Sequence, residues 1–194
     1  MIKNRRFSDN TSLKQPREKT ILFPFGLKGD FFMQKISAKF LAKSGVIAGL
    51  YVCLSLIVFP FASGSIQLRV GEALTLLPLL FIEAIPALFV GCIIVNVLTG
   101  CLMLDVIVGS MVTLFSAILT FFIGKIIKKS ILRAVVGGIF PIILNAFILP
   151  ITWVILGVCE YAYLVQVLLI LAGQLLAVYG IGIPIYIAIK NKLK

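Results

Sequence analysis

Six apolar runs follow one another along this chain, with only short polar breaks between them. They occupy residues 40–62, 72–82, 84–99, 103–124, 134–158 and 162–189. A membrane-spanning helix needs about 20 mostly apolar residues, so the runs predict an all-α integral membrane protein with a bundle of six transmembrane helices. The second run is brief, and Pro78 and Pro86 each remove a backbone donor. We therefore expect a short or kinked second helix.

The distribution of charge predicts how the bundle is oriented. The net charge of +11 is compatible with nucleic-acid binding, but the basic residues occur in three blocks that flank apolar runs, within residues 3–43, 125–133 and 190–194. Cytoplasmic loops of membrane proteins carry an excess of Lys and Arg. All three blocks are then cytoplasmic, which requires three crossings between residues 64 and 125 and leaves both termini cytoplasmic. The basic residues thus indicate the orientation of the helices in the membrane. We expect membrane lipid and not nucleic acid as a partner.

The N-terminal segment differs in composition from the rest of the chain. Residues 1–32 are polar and basic and lack the apolar core of a signal peptide, whereas residues 33–194 form the predicted six-helix domain. Lys28-Gly29-Asp30 is encodable by a sequence containing a bacterial ribosome-binding site, with Phe31-Phe32 as the spacer before Met33. We hypothesise that residues 1–32 are a translated leader; the alternative is a genuine cytoplasmic tail. N-terminal mass spectrometry of the protein from its native host distinguishes the two.

Cysteine and histidine usage argues against a metal centre or a disulfide framework. The four cysteines lie in or at the ends of apolar runs without CxxC spacing, and the chain has no histidine. We expect them to be buried small hydrophobic residues, and we predict no cofactor and no metal.

Seven polar residues are predicted to lie at compatible depths on one side of the membrane or near its middle. Arg69, Glu72, Asp105 and Glu160 fall at the outer ends of helices, Asn96 lies in the outer half of the third helix, and Asn145 and Gln174 lie near mid-membrane. Intramembrane polar groups are costly and are commonly functional, so we predict an outward-opening polar funnel. The alternatives are an interfacial Arg69–Glu72 salt bridge, a latch formed by that pair, and amides that only join helices. Glu83 falls on the inner side, where we expect a solvated turn residue.

A stripe of small residues lies on the first helix. Ser44, Gly45, Ala48 and Gly49 give overlapping SxxxA and GxxxG spacings, which allow close helix approach. The stripe serves either packing within the bundle or docking of a partner membrane protein.

Several activities are disfavoured by missing motifs. The sequence has no GxxxxGK[ST] loop, so it cannot bind nucleotide by that means. It also lacks a nucleophile elbow and paired intramembrane acids, which argues against a membrane enzyme. A stand-alone secondary transporter or channel remains possible, although the halves show no clear internal repeat of the kind such folds commonly carry.

Five segments occur in the order of a known family: "SGVIAGLYVCLS", "IQLRVGEALTLLPLLF", "AIPALFVGCIIVNVLTG", "LDVIVGSMVTLFSAILT" and "NAFILP". From about Met33 to its C-terminus the chain resembles the queuosine-precursor transporter (QueT) family, the substrate-binding S components of energy-coupling factor (ECF) transporters. The resemblance implies a bacterial plasma-membrane protein with six helices that binds its substrate at the outer side. It also implies association with a membrane coupling protein (EcfT) and two ABC ATPases, which drive a toppling of the S component.

The resemblance further implies a deazaguanine precursor of queuosine, or queuine, as substrate, and assigns the stripe of small residues to the EcfT contact. Glu72 or Asp105 would accept hydrogen bonds from such a ligand. Asn145, Asn96 or Arg69 would donate to its carbonyl, and a second carboxylate could pair with an aminomethyl group. Trp153, Phe81 and Tyr161 are candidate stacking surfaces. One departure concerns Gln174, which stands where the family usually has an acidic residue, and it leaves the ligand open to another vitamin or nucleobase.

Overall fold

The computed structural model describes residues 37–62 and 69–193, apart from the side chains of residues 59–62, and these residues are helical throughout with short connections. The helices are α1 (Ala38–Ala62), α2 (Val70–Leu79), α3 (Ala84–Leu98), α4 (Met103–Ile126), α5 (Ser130–Leu156) and α6 (Tyr163–Lys192). The all-α prediction is confirmed for this part of the chain. The predicted extension, residues 1–32, lies outside the described residues.

Helix length divides the bundle into two classes. Within the described residues, four helices (α1, α4, α5 and α6) are long and apolar enough to cross a membrane, whereas α2 and α3 are shorter apolar helices. The second helix is short, as predicted. It is a 3₁₀ helix of 10 residues, which at a rise of about 2.0 Å per residue covers about 20 Å. Pro86 lies in the first turn of α3, where the missing N–H has no intrahelical partner to lose.

Helix α2 is the centre of the bundle. Every residue from Gly71 to Leu79 is buried, and a helix that is apolar on all sides belongs in the interior. Its approach to α1 is close, because a Cβ on Gly71 would clash with the Ser55 hydroxyl and lie 2.9 Å from the carbonyl oxygen of Tyr51. Only glycine permits that approach.

Helices α4 and α5 run antiparallel and are joined near both ends. Thr120 Oγ1 donates to the Gly137 carbonyl at 2.9 Å, and Trp153 Nε1 donates to Asp105 Oδ2 at 2.9 Å. These two contacts fix the register of the pair along its whole length.

The basic end of the bundle is held by two charged contacts. Lys43 Nζ lies 3.1 Å from Glu83 Oε1 and joins the start of α1 to the start of α3. Arg133 donates to the Gly124 carbonyl at 3.2 Å and to the Tyr186 hydroxyl at 3.1 Å, which joins α4, α5 and α6. Glu83 lies in the turn before α3, as expected, but its side chain is only 14% exposed and pairs with Lys43, so the expectation that it is solvated was wrong.

The cysteines also differ from their prediction. Only Cys92 is buried; Cys53 is exposed, and Cys101 and Cys159 are intermediate. An exposed position on a membrane helix is still apolar when it faces lipid, so composition alone did not separate lipid-facing from core cysteines.

Candidate functional site

The carboxylate of Glu72 is buried within the bundle, and only one of its two oxygens accepts a hydrogen bond from the protein. The residue is 1% exposed. Its Oε1 accepts a hydrogen bond from the Tyr51 hydroxyl at 2.6 Å, whereas Oε2 has no partner. The backbone of Glu72 is fixed as well, since its carbonyl accepts from Thr75 Oγ1 at 2.6 Å. The structure therefore presents one buried, oriented carboxylate oxygen that is free to accept.

Four other buried polar atoms in the described part of the chain lack a hydrogen-bond partner. Together with Glu72 Oε2 they form what we call the unpaired set: Ser55 Oγ, Ser110 Oγ, Asn145 Nδ2 and Gln174 Oε1. Leaving a buried donor or acceptor unsatisfied costs about 1–3 kcal/mol. A protein interior normally avoids that cost, so each atom of the set requires an explanation.

A thiol-centred network lies beside the unpaired set. Cys92 Sγ accepts from Asn96 Nδ2 at 3.5 Å and from Thr113 Oγ1 at 3.4 Å. Thr113 also bonds to the Gly109 carbonyl at 3.0 Å. These contacts join α3 to α4 and occupy the amide nitrogen of Asn96, a predicted donor, within the protein.

Helix registers bring several of these groups to one level of the bundle. The Tyr51 ring packs on Gly91, where a Cβ would lie 3.0 Å from it, and the next residue, Cys92, contacts Thr113. Interpolation between the two fixed contacts of α4 and α5 puts Asn145 level with Thr113. Asn145 is 3% exposed, so its unpaired amide lies at the depth of Tyr51 and its Glu72 partner.

Gln174 faces this region from α6. Four residues before it, Ile170 packs with Ala146 and Leu149 of α5. Four residues after it, Val178 packs in one cluster with Leu76 of α2. Because residues four apart share a helix face, Gln174, which is 2% exposed, lies on the face of α6 that contacts α2 and α5.

Asp105 differs from Glu72 because both of its carboxylate oxygens accept hydrogen bonds from the protein. Oδ1 accepts from Thr152 Oγ1 at 2.8 Å, and Oδ2 accepts from Trp153 Nε1 at 2.9 Å. The carboxylate thereby ties the start of α4 to the last turns of α5. No atom of Asp105 belongs to the unpaired set of the described residues.

The two remaining predicted site residues are more exposed than the others. Arg69 precedes α2, is partly exposed, and lies close enough to the buried groups of Tyr51, Glu72 and Cys92 to interact with them electrostatically. Glu160 is exposed in the connection between α5 and α6. The structure thus buries Glu72, Asn96, Asn145 and Gln174 within the bundle, and it puts Arg69 close enough to interact with Glu72.

The predicted aromatic surfaces lie elsewhere. Trp153 packs between α5 and α6, Phe81 lies under the Lys43 ammonium at the basic end, and Tyr161 is exposed. Tyr51, which sequence reasoning missed, is the aromatic residue that contacts the site carboxylate. Ser55, Ser110, Thr113 and Cys92 were missed as well, because small polar residues are common in membrane helices and give no signal of their own.

The stripe of small residues is divided between inside and outside. Ser44 is buried and donates to the Glu83 carbonyl at 3.0 Å, and Ala48 packs against the core. Gly45 and Gly49 are exposed, and a Cβ at either would meet nothing within 4 Å. The described bundle therefore leaves a flat surface at these two glycines.

Long apolar helices around buried, unpaired polar atoms are typical of a multi-pass membrane protein that handles a polar solute. Comparison with family models gives the particular family: residues 41–191 match the model described as QueT transporter. The match covers well over half of the chain, and the chain belongs to the QueT transporter family. It is thus a membrane transport protein with a small-molecule substrate and not an enzyme. No curated protein and no solved structure matches the chain.

Proposed function

We propose that this chain is the substrate-binding component of an ECF-type importer that captures a queuosine precursor, a deazaguanine or queuine, at the outer face of the bacterial plasma membrane. The observation that supports the proposal is the unpaired set of buried polar atoms. Those atoms would be satisfied by a polar ligand held inside the bundle, and the cost of leaving them unpaired would then be removed on binding.

The chemistry of the unpaired set fits the edge of a deazaguanine. Glu72 Oε2 and Gln174 Oε1 accept hydrogen bonds, and Asn145 Nδ2 donates. A deazaguanine offers a ring N–H and an amino group beside a carbonyl oxygen, which is the complementary arrangement. The hydroxyls of Ser55 and Ser110 can donate or accept. Arg69, Asp105 and Glu160 would act at the outer mouth, where Asp105 holds α4 to α5 and Arg69 attracts Glu72.

A six-crossing topology with both termini cytoplasmic is part of the proposal. The Lys43–Glu83 pair puts the starts of α1 and α3 at one end of the bundle. Arg133 puts the end of α4, the start of α5 and the last part of α6 near one another. These contacts support helices that alternate in direction, and the basic residues at this end support a cytoplasmic position for it.

Energy for import would come from partner subunits. The sequence has no P-loop, and the resemblance implies an EcfT-like coupling protein with two ABC ATPases. We assign the surface at Gly45 and Gly49 to the coupling protein, with Ser44 and Ala48 supporting it from inside. Small residues let helix backbones approach closely in a membrane.

Two experiments test the proposal. Calorimetry of the purified protein should show binding of aminomethyl- or cyano-deazaguanine or queuine, and weaker binding of guanine. Uptake should require co-expression of the coupling protein and ATPases. Uptake by the chain alone would instead identify a stand-alone secondary transporter, and binding of an unrelated vitamin but none of the deazaguanines would refute the substrate.

A further inference from the structure

The buried face of α6 changes register part way along the helix. Up to Val178 the buried residues follow the three- and four-residue steps of a regular α-helix, and beyond it Gly182 and Tyr186 are buried at two successive steps of four. The buried residues are Gln166, Val167, Ile170, Gly173, Gln174, Ala177, Val178, Gly182 and Tyr186. At 3.6 residues per turn, each step of four overshoots a full turn by about 40°. Over the two steps from Val178 to Tyr186 a regular helix would turn the buried face by about 80°.

A π-helical segment corrects that drift. Residues Leu176–Gly182 form π-helix between the α-helical parts Tyr163–Leu175 and Ile183–Lys192. The wider turn of a π-helix takes up an extra residue, and such segments occur frequently at functional sites. Here it keeps Gln174, which belongs to the unpaired set, on the same face of α6 as Gly182.

Gly182 then contacts the backbone of α2 directly. A Cβ at Gly182 would lie 2.7 Å from the carbonyl oxygen of Ala73 and 3.3 Å from its Cα. Both are backbone atoms, so relief of the clash would require the backbone of α2 or of α6 to move. Ala73 is the residue after Glu72, and a movement of α2 at this point would displace the site carboxylate from Tyr51.

We propose that Gly182 is a positioning residue for the substrate site, because its bare backbone lets the π-helical segment of α6 rest on α2 at Ala73 and so fixes where Glu72 stands. The proposal rests on the proposed function in placing substrate at Glu72. The contact itself is independent of which ligand binds.

The π segment offers a matched control. Gly180 lies two residues away in the same segment, is exposed, and has nothing within 4 Å of an added Cβ. G180A and G182A make the same chemical change and bring the same gain in helix propensity. They differ in whether the new methyl group meets α2.

Hydrogen exchange and ligand binding together test the proposal. In G182A, amides of Val70–Leu79 should exchange at least tenfold faster than in the wild-type protein, and affinity for a deazaguanine should fall at least tenfold. G180A should stay within twofold on both measurements. In an E72Q background, G182A should weaken binding by less than threefold. Gly182 is proposed to act through the position of Glu72, and E72Q has already lost the hydrogen bond from the ligand to that carboxylate.

Each other outcome has a defined meaning. Unchanged exchange in α2 of G182A would overturn the proposal, and so would an equally large loss of affinity in the E72Q background. If G182A does not fold, the test uses the wild-type protein. Added ligand should then slow hydrogen exchange in Leu176–Gly182 as well as in α2, and unchanged exchange in Leu176–Gly182 would overturn the proposal. If the wild-type protein binds none of the deazaguanines, the proposed function fails, and the exchange comparison of G182A with G180A alone decides the role of Gly182.

Discussion

Replacement of Glu72 by glutamine is the sharpest test of the site, because the two oxygens of this carboxylate have different surroundings. Oε1 accepts the Tyr51 hydroxyl at 2.6 Å, and Oε2 has no partner. In Glu72→Gln the amide can turn in two ways. It either directs its NH₂ towards the ligand, or directs it towards Tyr51 and leaves a neutral oxygen for the ligand.

The second orientation sets the smallest expected loss. Hydrogen bonds to charged groups contribute about 1.5–3 kcal/mol and neutral ones about 0.5–1.5 kcal/mol, so loss of the charge alone weakens binding by about 1–1.5 kcal/mol. The first orientation adds a buried donor that faces the ligand's own donor, at a further cost of about 1–3 kcal/mol. Since about 1.4 kcal/mol is a factor of ten, we expect about tenfold weaker binding in the second orientation and a larger loss in the first.

Isothermal titration calorimetry of the purified protein measures this loss. Glu83→Gln is the control, because it also replaces one carboxylate by an amide, but at the basic end, where Glu83 pairs with Lys43 at 3.1 Å. We expect Glu83→Gln to bind within twofold of the wild-type protein. If the two variants bind equally well, Glu72 does not accept from the ligand and the argument from the unpaired oxygen is wrong.

Three further predictions concern neighbouring contacts. Tyr51→Phe leaves the second oxygen of the Glu72 carboxylate unpaired and should lower the free energy of unfolding by about 1–3 kcal/mol. Tyr179→Phe loses a hydrogen bond to an exposed carbonyl and should lower it by less than about 1 kcal/mol. Equal losses of the two variants in chemical denaturation would contradict this prediction. Asp105→Asn replaces an acceptor by a donor opposite Thr152 or the indole N–H, so it should lower the melting temperature and shift the emission of Trp153, the single tryptophan. An unchanged spectrum and melting temperature would show that the Asp105 carboxylate does not hold α4 to α5. Gly49→Leu should abolish co-purification with the coupling protein. Ligand affinity should stay within twofold, since a Cβ at position 49 meets nothing within 4 Å in the bundle. A variant that still co-purifies would show that Gly49 does not lie in the interface.

Much of the fold followed from hydropathy, because a membrane requires long apolar helices and leaves few alternatives. The shortness of the second helix was also predictable, from the length of its run and from Pro78. Its 3₁₀ form was not, and neither was the close approach of α1 and α6 to its backbone, which Gly71 and Gly182 allow. The pairing of Glu83 was missed for a related reason: Lys43 is distant in sequence and meets it only in the folded bundle.

The sequence by itself determined that this is a membrane bundle, which side chains are polar within it, and to which family it belongs. Only the tertiary structure decided which of those polar atoms remain available. Glu72 and Asp105 are both carboxylates near the start of a helix, yet Thr152 and Trp153 occupy the second while one oxygen of the first stays unpaired. The physical reason is that a hydrogen bond needs a partner at the right distance and angle, and inside a bundle that partner comes from another helix.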